Sequence, residues 1–169
     1  MNDQFFIGID VGGTKILGGL VTACGEIIAS KKIPTPPKAS AKQIIAAVEK
    51  VVRDLVQASG TPLKSILGIG IAIPGIVDNS GKVVVTPNLS LDNVDLKKIF
   101  AKTFKTKVVV GNDVNMGVLG EQWLGAGRKA KNIVGIFPGT GVGGGIIIRG
   151  EFISGTQGAA AEIGHMSVD

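Results

Sequence analysis

The chain has 169 residues and a net charge of +5; 44% of its residues are hydrophobic but only 4% are aromatic. This composition predicts an α/β protein of one domain or slightly more, and scattered basic residues without interleaved aromatic ones argue against nucleic-acid binding. No apolar run reaches the ~18 residues of a membrane span, and the polar start lacks the pattern of a signal peptide. The single cysteine, Cys24, allows no internal disulfide. We therefore expect a cytoplasmic protein that binds neither membranes nor nucleic acid.

Three short strands joined by tight turns open the chain. They are predicted at residues 5–10, 16–22 and 26–33. Prolines from Pro34 onward end this meander. A helix follows between Ser40 and Gly60, because its apolar residues recur at the 3.6-residue period. The nearly continuous apolar stretch 66–73 then predicts a strand buried on both faces, which the preceding helix would place parallel in the sheet.

The rest of the chain continues with two helices and ends in a hairpin. A strand, a helix, a strand and a helix are predicted at residues 82–85, 95–104, 107–111 and 114–124. The two strands of the hairpin are predicted at residues 132–137 and 142–149. This alternation of strands and helices indicates an α/β fold.

The turn between the first two strands has the composition of a phosphate-binding loop. Gly12 and Gly13 can take positive φ and bring bare backbone N–H groups close to an anion, while Thr14 and Lys15 offer a hydroxyl and a charge. Asp10 would face the same ligand, and a carboxylate next to phosphates makes sense mainly if Mg2+ lies between them. The alternative is an ordinary hairpin turn, since aspartate and glycine are common turn residues.

The closing hairpin repeats the first one. Gly-Ile-Asp-Val-Gly-Gly-Thr at residues 8–14 and Gly-Ile-Phe-Pro-Gly-Thr-Gly at residues 135–141 share the order of apolar strand, glycine–threonine turn and apolar strand. Chance turns rarely recur at matching positions of a duplicated unit. The repeat therefore favours the phosphate loop over the ordinary turn, and it predicts two similar domains that face each other.

Six motifs in order along the chain resemble those of the ROK family, bacterial sugar kinases of the glucokinase type with the actin-like ATPase (ribonuclease H-like) fold. The motifs are Asp-Val-Gly-Gly-Thr-Lys at 10–15, Ile-Pro-Gly at 73–75, Thr-Pro-Asn-Leu at 86–89, Asn-Asp-Val-Asn at 112–115 with Leu-Gly-Glu at 119–121, Gly-Thr-Gly-Val-Gly-Gly-Gly at 139–145, and Ala-Glu-Ile-Gly-His at 161–165. The resemblance implies an α/β domain with a mixed sheet at residues 1–117 and the incomplete start of a second, similar domain at 118–169.

The resemblance also implies roles for individual residues. The residues that would bind ATP and its Mg2+ are Asp10, Gly12, Gly13, Thr14, Lys15, Gly139, Thr140 and Gly141, with Asp10 holding the metal through the nucleotide. The residues that would contact a hexose are Gly75, Asn88, Asn112, Asp113, Glu162 and His165. Family members commonly hold zinc on this histidine and on three cysteines shortly after it. Such cysteines do not occur before Asp169, so His165 is a zinc ligand only in a longer chain.

Asp113 is implied by the same resemblance to be the catalytic base. Phosphoryl transfer to a sugar hydroxyl needs an acceptor for the hydroxyl proton, and Asp113 follows a buried strand where α/β sheets bind ligands. By itself the residue pair Asn112 and Asp113 is equally consistent with a helix cap. Glu162 and His165 would share a face if they were helical. Asn88 alone could be a plain turn residue.

Three functions are consistent with the sequence. The first is an ATP-dependent kinase acting on the 6-hydroxyl of glucose or a close relative, which would be a homo-oligomer at full length. The second is a sugar-responsive repressor of the same family, and the third is a non-catalytic sugar- or phosphate-binding protein. Repressors carry a DNA-binding segment before the first strand, so the four residues before Phe5 argue against DNA binding. We expect the 169 residues alone to be inactive, because they would form only the first half of a longer kinase. The closing hairpin of this half is apolar on both faces at 146–148 and has no helix of its own to cover it.

Overall fold

The computed structural model describes residues 4–139 and 141–167. These residues form ten strands and three helices. The strands are β1 Phe5–Val11, β2 Lys15–Thr22, β3 Ile27–Pro34, β4 Ile66–Ile73, β5 Ile76–Val77, β6 Val83–Val85, β7 Lys107–Asn112, β8 Ile133–Pro138, β9 Val142–Ile148 and β10 Glu151–Phe152. The helices are α1 Ala41–Ser59, α2 Leu96–Phe104 and α3 Asp113–Trp123, with 3-10 turns at Leu63–Ser65 and Ile163–His165.

A five-stranded mixed sheet in the order β3-β2-β1-β4-β7 forms the main layer. The first three strands pair antiparallel, whereas β4 pairs parallel with β1 and β7 parallel with β4. The predicted mixed sheet and the parallel placement of the strand at 66–73 are thereby confirmed. Helix α1 packs on one face, where a Cβ at Gly18 would lie only 2.5 Å from Cγ1 of Val51. The absence of a side chain at Gly18 therefore allows the close approach of this helix.

The register of the parallel strands brings their carboxyl ends to one edge of the sheet. Asp10 near the end of β1 pairs with Ala72 of β4, and Ile73 of β4 pairs with Asn112 at the end of β7. The side chains that follow these strands therefore meet at the same edge, which is where open α/β sheets bind their ligands.

The two later helices begin within a residue of their predicted starts, and their caps explain the difference. Asp95 accepts a hydrogen bond from Lys98 N at 2.8 Å and is the N-cap of α2. Asn112 accepts one from Asn115 N at 3.0 Å and is the N-cap of α3, so the helix starts at Asp113 rather than at 114. Two-residue strands β5 and β10 were not predicted, because so short a segment carries no periodicity.

The closing hairpin of β8 and β9 is joined by β10 into a three-stranded sheet, and α3 packs on it. Val118 of α3 is buried, and a Cβ at Gly135 or Gly145 would lie 2.4 or 2.7 Å from its Cγ2 atom. The expectation that no helix covers this hairpin was therefore wrong for the face beneath α3. On the other face Val134 and Ile136 are more than half exposed. The predicted division at residue 117 falls inside α3 and stays a prediction.

Within residues 4–139 and 141–167, no helix combines the length and the apolar character that crossing a membrane requires.

Candidate active site

A cleft of about 840 Å3 opens at the carboxyl ends of β1, β4 and β7 and extends to the turn between β8 and β9. Eight of the residues singled out in the sequence line it together. They are Asp10, Gly12, Gly13, Asn88, Asn112, Asp113, Gly139 and Gly141. Residues that are up to 131 positions apart in sequence thus meet in one cavity, because the strand register and the packing of α3 bring both glycine turns to the same place.

The first glycine turn connects β1 to β2. Gly12 N donates to Lys15 O at 2.9 Å and closes the turn. At its tip, a Cβ on Gly13 would lie 3.4 Å from Cβ of Asn88, so the turn touches the loop that follows β6. Thr14 and Lys15 are exposed and lie outside the lining of the cleft.

The second glycine turn connects β8 to β9. Gly139 N donates to Gly141 O at 2.7 Å. Just after this turn, a Cβ on Gly143 would lie 2.4 Å from Cγ2 of Val114, so β9 sits directly against the first turn of α3. The second glycine turn is therefore close to the start of α3, and both turns line the same cleft. Thr140, the third residue assigned to this loop, lies outside the described residues.

Asn112 connects the start of α3 to the turn after β4. Its Nδ2 donates to Gly75 O at 3.0 Å, and its Oδ1 accepts from Asn115 N at 3.0 Å. Gly75 has a φ of 113°, and a Cβ there would lie 2.2 Å from Val85 O, so only glycine fits. Gly75 lies behind the cleft rather than in its lining.

Asp113 is the first residue of α3 and leaves the capping to Asn112. It is half-buried, and its Oδ1 accepts from its neighbour Val114 N at 3.0 Å. The sequence left open whether Asn112 and Asp113 cap the helix or supply a catalytic base. The structure shows that Asn112 is the N-cap. The carboxylate of Asp113 lines the cleft at the helix N-terminus, where the helix dipole favours a negative charge.

The pKa of Asp10 is raised in the cleft that it shares with Asp113. Burial raises the pKa of Asp10, the negative charge of Asp113 raises it further, and the positive charge of Lys15 partly opposes the shift. Two carboxylates that repel each other in a cleft fit a hard cation, since Mg2+ is held by one or two carboxylates with phosphate oxygens and water completing its coordination. Across residues 4–139 and 141–167, no group of three or more His, Cys, Asp or Glu side chains could hold a metal. A cation at Asp10 would therefore depend on a ligand such as a nucleotide.

Asp92, which the sequence reasoning missed, fixes the loop that carries Asn88. Both the N and the Oγ1 of Thr86 donate to Oδ1 of Asp92, at 2.8 and 2.9 Å, and Thr86 Oγ1 also contacts Leu89 O. Thr86 is buried, whereas Asn88 is exposed toward the cleft. Asp92 thus holds the turn in shape, and an aspartate shortly after a Thr-Pro-Asn turn was the available signal.

Glu162 and His165 are not brought into the lining of the cleft. Glu162 precedes the 3-10 turn Ile163–His165, and both side chains are exposed. Their segment packs on β9, since a Cβ on Gly144 would lie 2.3 Å from Ala161 O. The predicted shared helical face is therefore replaced by a single 3-10 turn. Cys24 is exposed in the turn between β2 and β3.

Comparison with solved structures defines the class of this fold. The structure matches the ROK family glucokinase from Streptomyces griseus, whose crystal structure contains glucose and AMPPNP, with a TM-score of 0.86 and 36% sequence identity. The match covers 98% of this chain and 51% of that one. The protein therefore has the actin-like ATPase fold that its motifs predicted.

Comparison of sequences then defines the family. The ROK family profile matches residues 6–169. The chain belongs to the ROK family. The glucokinase of Halalkalibacterium halodurans is 36% identical over 99% of this chain, and the xylose repressor of Caldicellulosiruptor bescii is 38% identical over 96% of it. The chain spans about half the length of that glucokinase, 51%, and 41% of that repressor.

Proposed function

We propose that this chain supplies the sugar-binding side, the catalytic base and phosphate-binding turns of an ATP-dependent kinase that phosphorylates the 6-hydroxyl of glucose or a closely related hexose. One observation carries the proposal: Asp113 shares a single cleft with both glycine turns. A proton acceptor in the same cleft as two loops suited to phosphate is the arrangement that phosphoryl transfer to an alcohol requires. The similarity to glucokinases along nearly the whole chain supports it.

In this proposal Asp113 acts on the attacking hydroxyl. As the hexose oxygen forms its bond to the γ-phosphorus of ATP, the hydroxyl proton passes to the Asp113 carboxylate, and the bond between the γ-phosphorus and the bridging oxygen breaks to release ADP. The α3 N-terminus holds Asp113 in place, because Asn112 provides the cap. Because Oδ1 of Asp113 accepts from Val114 N, its other oxygen, Oδ2, is the one left for the proton.

The two turns would hold the phosphate chain of ATP. Gly12, Gly13, Gly139 and Gly141 line the cleft without side chains, so a phosphate could approach the backbone closely. Asp10 would hold Mg2+ together with the nucleotide, and the metal when bound would neutralise charge on the phosphate oxygens. We assign Thr14, Lys15 and Thr140 to the same loops from the motif alone.

The hexose would lie between the Asn88 loop and the start of α3. Asn88 and Asn112 both line the cleft near Asp113, and Gly75 supports them from behind through its hydrogen bond with Asn112. The motif also assigns Glu162 and His165 to the sugar, although both lie outside the cleft lining in this structure. Their contribution depends on a movement of the segment that follows β10.

A sugar-binding repressor is the second candidate, because the xylose repressor of C. bescii is as similar to this chain as the glucokinase is. A repressor would bind sugar without releasing ADP. Turnover therefore separates the two functions, whereas sugar affinity does not.

The test uses a chimera in which this chain replaces the matching half of the H. halodurans glucokinase. Its ADP release is measured by a coupled assay across a panel of hexoses, beside calorimetric sugar binding by the chain alone. The proposal expects turnover with glucose or a close relative and only weak sugar binding without the second half. Sugar binding by a folded chimera that releases no ADP with any hexose would contradict the kinase and favour the repressor.

A further inference from the structure

Thr35 makes two hydrogen bonds to the first glycine turn. Its Oγ1 donates to Gly12 O at 2.6 Å, and its backbone N donates to Thr14 O at 3.0 Å. It lies directly after β3 and is buried, with 7% of its surface exposed. A buried threonine that donates to two carbonyl groups of a proposed phosphate loop restricts the conformation of that loop.

Thr35 fixes the orientation of two peptide groups of the turn. The carbonyl oxygens of Gly12 and Thr14 are both held on the side of β3, and the N–H of Gly12 is used to close the turn with Lys15. Across residues 4–139 and 141–167, the N–H groups of Gly13 and Thr14 donate no hydrogen bond. The tip of the turn thus carries two N–H groups without a partner among the described residues, while two carbonyls that would repel an anion, those of Gly12 and Thr14, are fixed on the side of β3.

Two prolines hold Thr35 in this position. Pro34 pairs with Lys15 at the end of the β2–β3 ladder. This pairing places the next residue, Thr35, beside the first glycine turn. Pro36 restricts Thr35 to an extended backbone. The proline run that ends the meander therefore also supports the turn beside it.

We propose that Thr35 is a positioning residue for the phosphate loop, and that its hydroxyl, by holding Gly12 O, preorganises the N–H of Gly13 in the same peptide group for the polyphosphate of the nucleotide. The inference rests on the proposed phosphate-binding function of this turn. Without the hydroxyl, Gly12 O loses its donor, and the peptide group can rotate its oxygen toward the bound phosphates. Binding should then weaken specifically for phosphate ligands and not for sugar.

The test compares Thr35→Val, which keeps the shape but removes the hydroxyl, with Thr35→Ser, which keeps the hydroxyl. Thr61→Val is the matched control, because Thr61 is also a buried threonine that precedes a proline but lies away from the cleft. Each protein is titrated with Mg2+ and inorganic triphosphate, and the amide NMR signals of Gly13 and Thr14 are followed. Loss of one hydrogen bond corresponds to an affinity about three- to tenfold weaker.

We expect that weakening in Thr35→Val alone, with Thr35→Ser and Thr61→Val within about twofold of the wild type and glucose affinity unchanged in all. Equal triphosphate affinity in Thr35→Val and the wild type would overturn the inference and leave the phosphate loop intact. If the wild-type signals of Gly13 and Thr14 do not respond to triphosphate, the phosphate assignment itself is wrong. If Thr35→Val does not fold, Thr35→Ser against Thr35→Ala gives the same comparison of presence and absence of the hydroxyl.

Discussion

Gly135→Ala should separate the β8–β9 hairpin from α3. A Cβ at this position would lie 2.4 Å from Cγ2 of Val118, a side chain that is itself buried. Forcing an extra methyl group into such a contact costs about 1–3 kcal/mol. For a domain of this size, that corresponds to a fall in melting temperature of roughly 2–12 °C.

The assay is thermal unfolding together with hydrogen exchange across β8 and β9. Gly8→Ala is the control, because no atom lies within 4 Å of a Cβ there and the strand position tolerates a side chain. Adding Val118→Ala to Gly135→Ala should recover part of the loss, with a coupling of about 0.5–3 kcal/mol. Additive effects of the two substitutions, or unchanged hydrogen exchange in Gly135→Ala, would refute the packing of α3 on the hairpin.

Three further predictions concern the cleft. Asp10→Ala in the chimera should raise the Mg2+ concentration needed for turnover and leave calorimetric glucose affinity unchanged; lost sugar binding with normal metal dependence would place Asp10 elsewhere. Because the pKa of Asp10 is raised in the fold, its charged form destabilises the folded chain, so Asp10→Asn should melt at a higher temperature than the wild type at pH 7. That difference should shrink as the pH falls through the raised pKa toward the ordinary value, and a difference that is constant with pH would contradict the shift. Asn112→Asp keeps the cap acceptor but loses the donor to Gly75 O. It should therefore raise the KM for hexose about tenfold and leave the KM for ATP nearly unchanged. An equal rise of both KM values would argue against a role of Asn112 at the hexose site alone.

The main sheet could be predicted from the sequence because its signals are local. The strand at 66–73 is an apolar run between glycine and proline boundaries, and α1 has a clear helical period ending at Gly60. The cover of the hairpin by α3 could not be predicted in this way. It depends on Gly135 and Gly145 accepting Val118, and glycines on a strand face give no hydrophobic pattern.

Some residues of the candidate site could likewise be predicted from the sequence, and others could not. Asp10, Asn112 and Asp113 follow buried strands, so their meeting at one sheet edge follows from topology. Thr35 and Asp92 were missed because their partners lie 23 residues away or inside an irregular turn. Sequence spacing does not encode such contacts, whereas the folded register does.

Asp113→Asn in the chimera tests most directly the proposal that Asp113 takes the proton of the sugar hydroxyl. The amide keeps the size of the side chain and an oxygen for the hydrogen bond from Val114 N, but it cannot serve as the base. Turnover should fall by about 10²–10⁴, while calorimetric glucose affinity stays within about tenfold of the wild type. A variant that retains more than about a tenth of the wild-type turnover would show that Asp113 is not the base.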